Sequence, residues 1–246
     1  MQRILSAGAV ALFALIMASV AIGYTEQQTL RPLAESYVRL VPQDLGAPNV
    51  ITGILLTYRA FDTLGEVAVL FMVAAGVGLV LTGSGKTSGT KDSGAKSSSS
   101  KPSSAKDSDP EHKTPASEIV QSATQIMVPL IAIFAAYIIM NGHISAGGGF
   151  QGGAVIASAV LLLLLANPSH ALNTAFLSIT ESVAGVLFVL VGIAGLIFAD
   201  GFLDNRVLPL GQFGAFFSAG AIPVLSVLLG VKVGCELAVI LDRFRS

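Results

Sequence analysis

Six apolar runs, each near the length of a helix that crosses a bilayer, constrain this chain more than any other feature. About 20 apolar residues span the hydrocarbon core, and runs approaching that length cover 4–23, 64–81, 126–140, 152–166, 172–198 and 213–231. In lipid every backbone amide and carbonyl must find a partner inside the protein, which for such runs means a helix. With 53% hydrophobic and 12% charged residues the chain has too few polar groups to cover a soluble domain. The sequence therefore predicts an all-α integral membrane protein of about six transmembrane helices. Its single cysteine, Cys235, excludes an internal disulfide and lacks the partners of a Cys/His zinc cluster, so no metal site is expected. A net charge of −1 gives no reason to expect a nucleic-acid partner.

Between the second and third runs lies SGKTSGTKDSGAKSSSSKPSSAKDSDPEHKTPAS, rich in Ser, Lys and Gly and poor in apolar residues. Such a composition predicts a solvated, flexible linker. The chain then reads as a 2 + 4 arrangement: a two-helix unit over 1–82, a linker over 83–117 and a four-helix unit over 118–246. Orientation follows from Lys and Arg near the helix ends. With a cytoplasmic N-terminus the inside receives Arg3, Lys86, Lys91, Lys96, Lys101, Lys106, Lys113, Lys232, Arg243 and Arg245, and the outside only Arg31, Arg39 and Arg206. Both termini and the linker are thus expected in the cytoplasm, with the protein in the cytoplasmic membrane. Arg3, the apolar run after it, and Ser19 and Ala21 also fit a cleaved signal peptide, so span and leader both stand as readings of the first segment.

Three constellations can carry chemistry. In NVITGILLTYRAFDTLGEVAVL, over 49–70, Arg59, Asp62 and Glu66 recur at helical spacing, which puts them on one face. A continuous helix over 49–81 would be about 50 Å long at ~1.5 Å per residue, so it must tilt, break or lie partly in the interface. A break near Asp62 would make Thr63 an N-cap and Glu66 the closing residue of a capping box. Alternatively Glu66 lies below the membrane surface, where an ionisable group marks an ion or proton path. The residues alone leave both open.

The second constellation, NGHISAGGGFQGG over 141–153, joins the third and fourth runs. Gly147, Gly148 and Gly149 allow unusual backbone and close approach of a neighbour, and their amides can form a nest for water or an anion. One reading is a tight turn whose glycines serve packing, with His143 exposed or bonded to backbone; the other is a proton relay through His143, whose imidazole titrates near neutral pH. In the third, Glu181 lies either one or two turns inside the membrane, among Ser178, Thr180 and Ser182, or at the boundary on an interfacial helix. Lys232 and Glu236, four apart, read as a snorkelling pair near the inner end of the last span, and Pro223 should kink that helix or free a carbonyl near Ala219. No hydrolase elbow, phosphate loop, haem attachment or iron–sulfur motif is evident, so no cofactor and no enzymatic activity are expected of this chain.

NGHISAGGGFQGGAVIASAVLLLL resembles the signature of the B-type (MnhB/MrpB-like) component of the Mrp-type multisubunit cation/proton antiporters, where a GH-x(3)-GGGFQGG pattern joins two helices. AIPVLSVLLGVKVGCELAVIL is similar to that family's last span, so the resemblance covers roughly 114–245. Ala146 stands where many relatives have proline. NVITGILLTYRAFDTLGEVAVL is similar instead to the carboxy-terminal segment of the large A-type component of these antiporters, and to small subunits of membrane-bound hydrogenases and related respiratory complexes. It keeps Arg59, Phe61, Asp62, Thr63, Gly65 and Glu66, while Tyr58 and Ala60 depart from the common pattern.

The resemblance implies a fusion of two neighbouring subunits of a Na⁺/H⁺ exchange module. It implies that Glu66 belongs to the ion path, which is expected to take in Asp62 and Arg59, tuning or gating Glu66, together with Thr63 and Glu181. His143, Gly147, Gly148, Gly149, Phe150, Gln151, Gly152 and Gly153 would shape a subunit contact. Expected partners are large antiporter-like subunits, small subunits of C, F and G type and the lipid bilayer, with Na⁺ and H⁺ as cargo. The same module attached to a redox arm (a hydrogenase, formate-oxidising or sulfur-reducing unit) is the alternative, and a scaffold outside the ion path is a second.

Overall fold

In the computed structural model the described residues are 2–24, 29–84, 117–168 and 171–245. The linker expected over 83–117, with Lys86, Lys91, Lys96, Lys101, Lys106 and Lys113, lies outside them apart from its first two residues and its last. The described residues are nearly all helical: α1 (Gln2–Gly23), α2 (Pro32–Leu45), α3 (Val50–Gly53), a π turn (Ile54–Tyr58), α4 (Ala60–Ser84), α5 (Glu118–Met140), α6 (Gly149–Ala166), α7 (Thr174–Phe198), a 3₁₀ turn (Asn205–Val207) and α8 (Ile222–Arg245). Six are long and apolar enough to cross a membrane: α1, α4, α5, α6, α7 and α8. The protein is a multi-pass membrane protein.

Two units divide the chain. The first, Met1–Tyr37, carries α1 and the start of α2. Helix α1 is apolar on every side, as a lipid-facing span is. The second, Val38–Ser246, is built around α8, which packs against α4, α5, α6 and α7. Its seam with α6 is made of small residues one turn apart on each helix: a Cβ on Gly149 would stand 2.5 Å from the Ser226 carbonyl oxygen, and one on Gly153 2.7 Å from Val233 Cβ. Without side chains to hold them apart, two backbones approach closely, and dispersion replaces the hydrophobic drive that lipid cannot supply.

Several sequence-based boundaries change. The third and fourth spans are full helices of 23 and 18 residues, not short ones. The last span begins at Ile222 rather than 213, because 199–221 folds as an irregular segment. Asn205 orders it, donating from Nδ2 to the carbonyls of Leu45 (3.1 Å) and Ala219 (3.0 Å). Pro223 therefore sits in the first turn of α8, where a missing amide costs nothing, and neither kinks the helix nor frees a carbonyl. The Ala219 carbonyl also accepts from the Ile222 amide. Lys232, counted above among the inner-end charges, is the eleventh residue of the 24 in α8 and lies mid-helix.

Candidate functional site

The break in the long Asn49-to-Leu81 segment falls at Arg59. After α3 the backbone widens into a π turn, Arg59 leaves helical geometry (φ −119°, ψ 37°), and α4 starts at Ala60. Such a break orphans carbonyls at the end of the preceding turn. Thr63 answers this locally, its hydroxyl donating to the Leu55 carbonyl at 2.7 Å. Thr63 is thus buried within α4 and is not an N-cap, and the expected capping box with Glu66 does not form. Arg59 and Asp62 pair with each other on an exposed face. Glu66, two turns into α4, is exposed on this chain, and among the described residues no hydrogen bond or ion pair engages its carboxylate.

Asn49 docks this break onto the glycine segment. Its Oδ1 caps α3 by accepting from the Ile51 and Thr52 amides, while its Nδ2 donates to the carbonyls of Gly142 (2.7 Å) and Ser145 (2.8 Å). Thr52 donates to the same Gly142 carbonyl at 2.8 Å. Gly148 caps α6 at φ 152°, ψ 179°, a conformation that suits only glycine.

The product is a cavity of about 60 Å³ lined by Glu66 and Thr63 from α4, by Gly147, Gly148, Gly149, Phe150 and Gln151, and by Ser226 of α8. Ser226 is fully buried, and its hydroxyl has no hydrogen-bond partner among the described residues. The first two constellations, read separately in the sequence, thus meet in one polar-edged space. Gly152 and Gly153 are not part of it; they face Ile139 and Val233 and serve packing.

His143 does not line this cavity. It is fully buried, with Nε2 3.4 Å from the Ala215 carbonyl oxygen and Nδ1 without a partner among the described residues. Burial pushes its proton affinity below the ordinary value, more strongly than nearby backbone carbonyls raise it. Asn49 and Ser226 are functional candidates that sequence reasoning missed. Asn49 had a signal in opening the α3 motif, whereas Ser226 had none.

Glu181, about two turns into α7, forms with Lys232 and Glu236 an arrangement that spacing in the sequence did not bring together. Lys232 Nζ lies 2.7 Å from Glu236 Oε2 and 3.3 Å from Glu181 Oε1, and all three residues are buried. A surface pair that snorkels is therefore replaced by an internal triad. Glu181 faces α8 and is not at an exposed boundary.

Comparisons with known proteins show what the chain is similar to. Residues 119–239 match a family model described as a domain related to the MnhB subunit of Na⁺/H⁺ antiporter, and residues 2–83 match the MbhE family, described as the E component of MBH. An uncharacterised protein of Methanocaldococcus jannaschii is 30% identical over 195 residues, covering 76% of this chain and 72% of the relative. The B component of the Na⁺/H⁺ antiporter of Bacillus subtilis is 35% identical over 90 residues, and the match spans 35% of this chain and 63% of that relative.

Among solved structures, a chain of the membrane-bound sulfane sulfur reductase, an archaeal respiratory membrane complex, superposes with TM-score 0.73 at 30% identity, covering 99% of this chain and 97% of that one. A chain of the Mrp complex from Dietzia sp. superposes with TM-score 0.68 at 22% identity, covering 99% of this chain and 26% of that one, a likeness of fold. The two matched regions leave 84–118 between them, and the chain belongs to the family with a domain related to the MnhB subunit of Na⁺/H⁺ antiporter, with an MbhE domain ahead of it.

Proposed function

We propose that this chain is a small membrane subunit of a multisubunit Mrp-type module that exchanges Na⁺ for H⁺ across the cytoplasmic membrane, and that Glu66 is its ion- or proton-accepting group. The observation that carries this reading is the cavity shared by Glu66, the glycine turn and the unpartnered Ser226 hydroxyl. A space of about 60 Å³ has room for water, which needs two or more polar partners; among its mostly apolar walls Glu66, Gln151 and Ser226 supply them. Water there can carry a proton to and from the Glu66 carboxylate. Arg59 and Asp62, paired near the start of α4, set the field at its mouth.

An ionisable group on a spanning helix is too costly to leave against lipid and belongs against protein or water. The exposure of Glu66 on this chain therefore argues for a neighbouring subunit over that face of α4. The partners are large antiporter-like subunits and small subunits of C, F and G type. The chain acts in transport without a cofactor of its own, as a fusion of two units, with both termini and the linker cytoplasmic. A second reading, in which the module is attached to a redox arm, is favoured by the end-to-end likeness to the sulfane sulfur reductase chain.

The test is Glu66→Gln in the assembled complex, with Na⁺-dependent proton transport measured in inverted vesicles. Transport should fall at least tenfold while assembly persists. Unchanged transport with intact assembly sinks the ion-path role and leaves a scaffold. Copurifying iron–sulfur or nickel–iron proteins decide for the redox arm.

A further inference from the structure

The Glu181–Lys232–Glu236 triad has no part in the Glu66 reading, and its charge does not balance. Two carboxylates and one ammonium sum to −1 when all are ionised, in a place where the side chains are only 9%, 7% and 0% exposed in that order. A buried uncompensated charge inside a spanning bundle is too costly to persist, so the group takes up a counter-charge or a proton. Among the described residues no further counter-charge faces the triad. The α4 residues that face Glu181 and Lys232 across a groove of about 570 Å³ are apolar (Leu64, Val67, Ala68, Phe71 and Met72).

Helix α6 has no ionisable residue, and α5 has only Glu118 and Tyr137, both exposed. On α8 the half-buried Cys235 is near Glu181, while Asp242 is taken by Arg245, and Arg243 donates to the Ala74 carbonyl. Lys232 is closer to Glu236, which leaves Glu181 as the surplus carboxylate, lining the groove. A second, independent observation lies at the other end: Glu236 Oε1 is buried with no hydrogen-bond partner among the described residues.

We infer that Glu181, Lys232 and Glu236 form a proton-binding site within the membrane, in which the two carboxylates hold one proton between them and Lys232 stays charged. The proton comes from water at the polar edge of the groove, where Glu181, Ser182 and Lys232 line it, forms an O–H bond on a carboxylate oxygen and returns to that water when the bond breaks, with no redox step. Lys232, reaching both acids, follows whichever is ionised. The site is separate from the Glu66 cavity and stands or falls without it.

The assembled complex is examined by infrared difference spectroscopy in Na⁺-free buffer at neutral pH, a readout that needs no transport. A protonated-carboxyl band that shifts in heavy water is expected in the unaltered complex. It should be lost in both Glu181→Gln and Glu236→Gln, which leave a neutral pair, should persist in Glu66→Gln, and should grow about twofold in Lys232→Gln. No such band in the unaltered complex, or a band unchanged in both glutamate variants, overturns the inference. So does failure of both variants to assemble, since a neutral amide in place of the surplus acid should be tolerated.

Discussion

Asn49 and Gly142, 93 positions apart, are joined by a 2.7 Å hydrogen bond from the Asn49 Nδ2 to the Gly142 carbonyl. Because the same amide also donates to Ser145 and its oxygen caps α3, one side chain holds the turn against the break. Asn49→Ala removes the cap and strands the Ser145 carbonyl, while Thr52 still serves that of Gly142, a loss of about 1–3 kcal/mol. Asn49→Asp keeps the cap but sets a carboxylate oxygen against both carbonyls and should cost at least as much. Thermal unfolding of the purified protein in detergent checks the order.

The number and class of helices were legible because lipid demands length: every expected run contains or overlaps a span. The last span was misplaced for a physical reason. Phe213, Phe216 and Phe217 make an apolar stretch that is loop, while Lys232 and Glu236 resemble the end of a span although they neutralise one another inside it. The candidate site was half legible. Glu66 and the glycines were visible by residue type and spacing, but their meeting depends on Asn49, whose carbonyl partners are far away in sequence.

His143 titrates against the fold. Burial keeps its imidazole neutral and lowers its proton affinity, whereas the unfolded chain takes up a proton as pH falls through about 6.5. The unfolded state then binds more protons, so stability is fully present above about pH 6.5 and is lost as pH falls below it toward the folded-state value. Melting temperature measured from neutral to mildly acidic pH should decline below that point. His143→Gln should flatten the curve, and an equal decline in that variant assigns the effect elsewhere.

Gly152 lies in the α5–α6 seam, where an added Cβ would collide with Ile139 Cγ1. Gly152→Ala should destabilise by about 1–3 kcal/mol, as overpacking does. Gly76, with nothing within 4 Å of an added Cβ, is the control. Alanine there should be neutral to slightly stabilising, by up to ~1 kcal/mol from helix propensity. Detergent-resistant unfolding midpoints of the two variants separate packing from propensity.

Ser226 tests whether water in the shared cavity matters to ion transfer, because its hydroxyl is the one buried side-chain group on the α8 wall without a partner among the described residues. Removing an unpartnered hydroxyl strands no other group, so Ser226→Ala should leave unfolding within about 1 kcal/mol of the parent. Transport should respond differently, because the cavity loses a polar wall while Glu66 keeps its carboxylate. A several-fold fall in Na⁺-dependent proton transport is expected for Ser226→Ala, and a larger one for Ser226→Val, which puts two methyl groups where water would sit. If both variants assemble and transport at the parent rate, the proton does not pass by this cavity. Glu66 would then have to exchange it on the outer face of α4, against a neighbouring subunit.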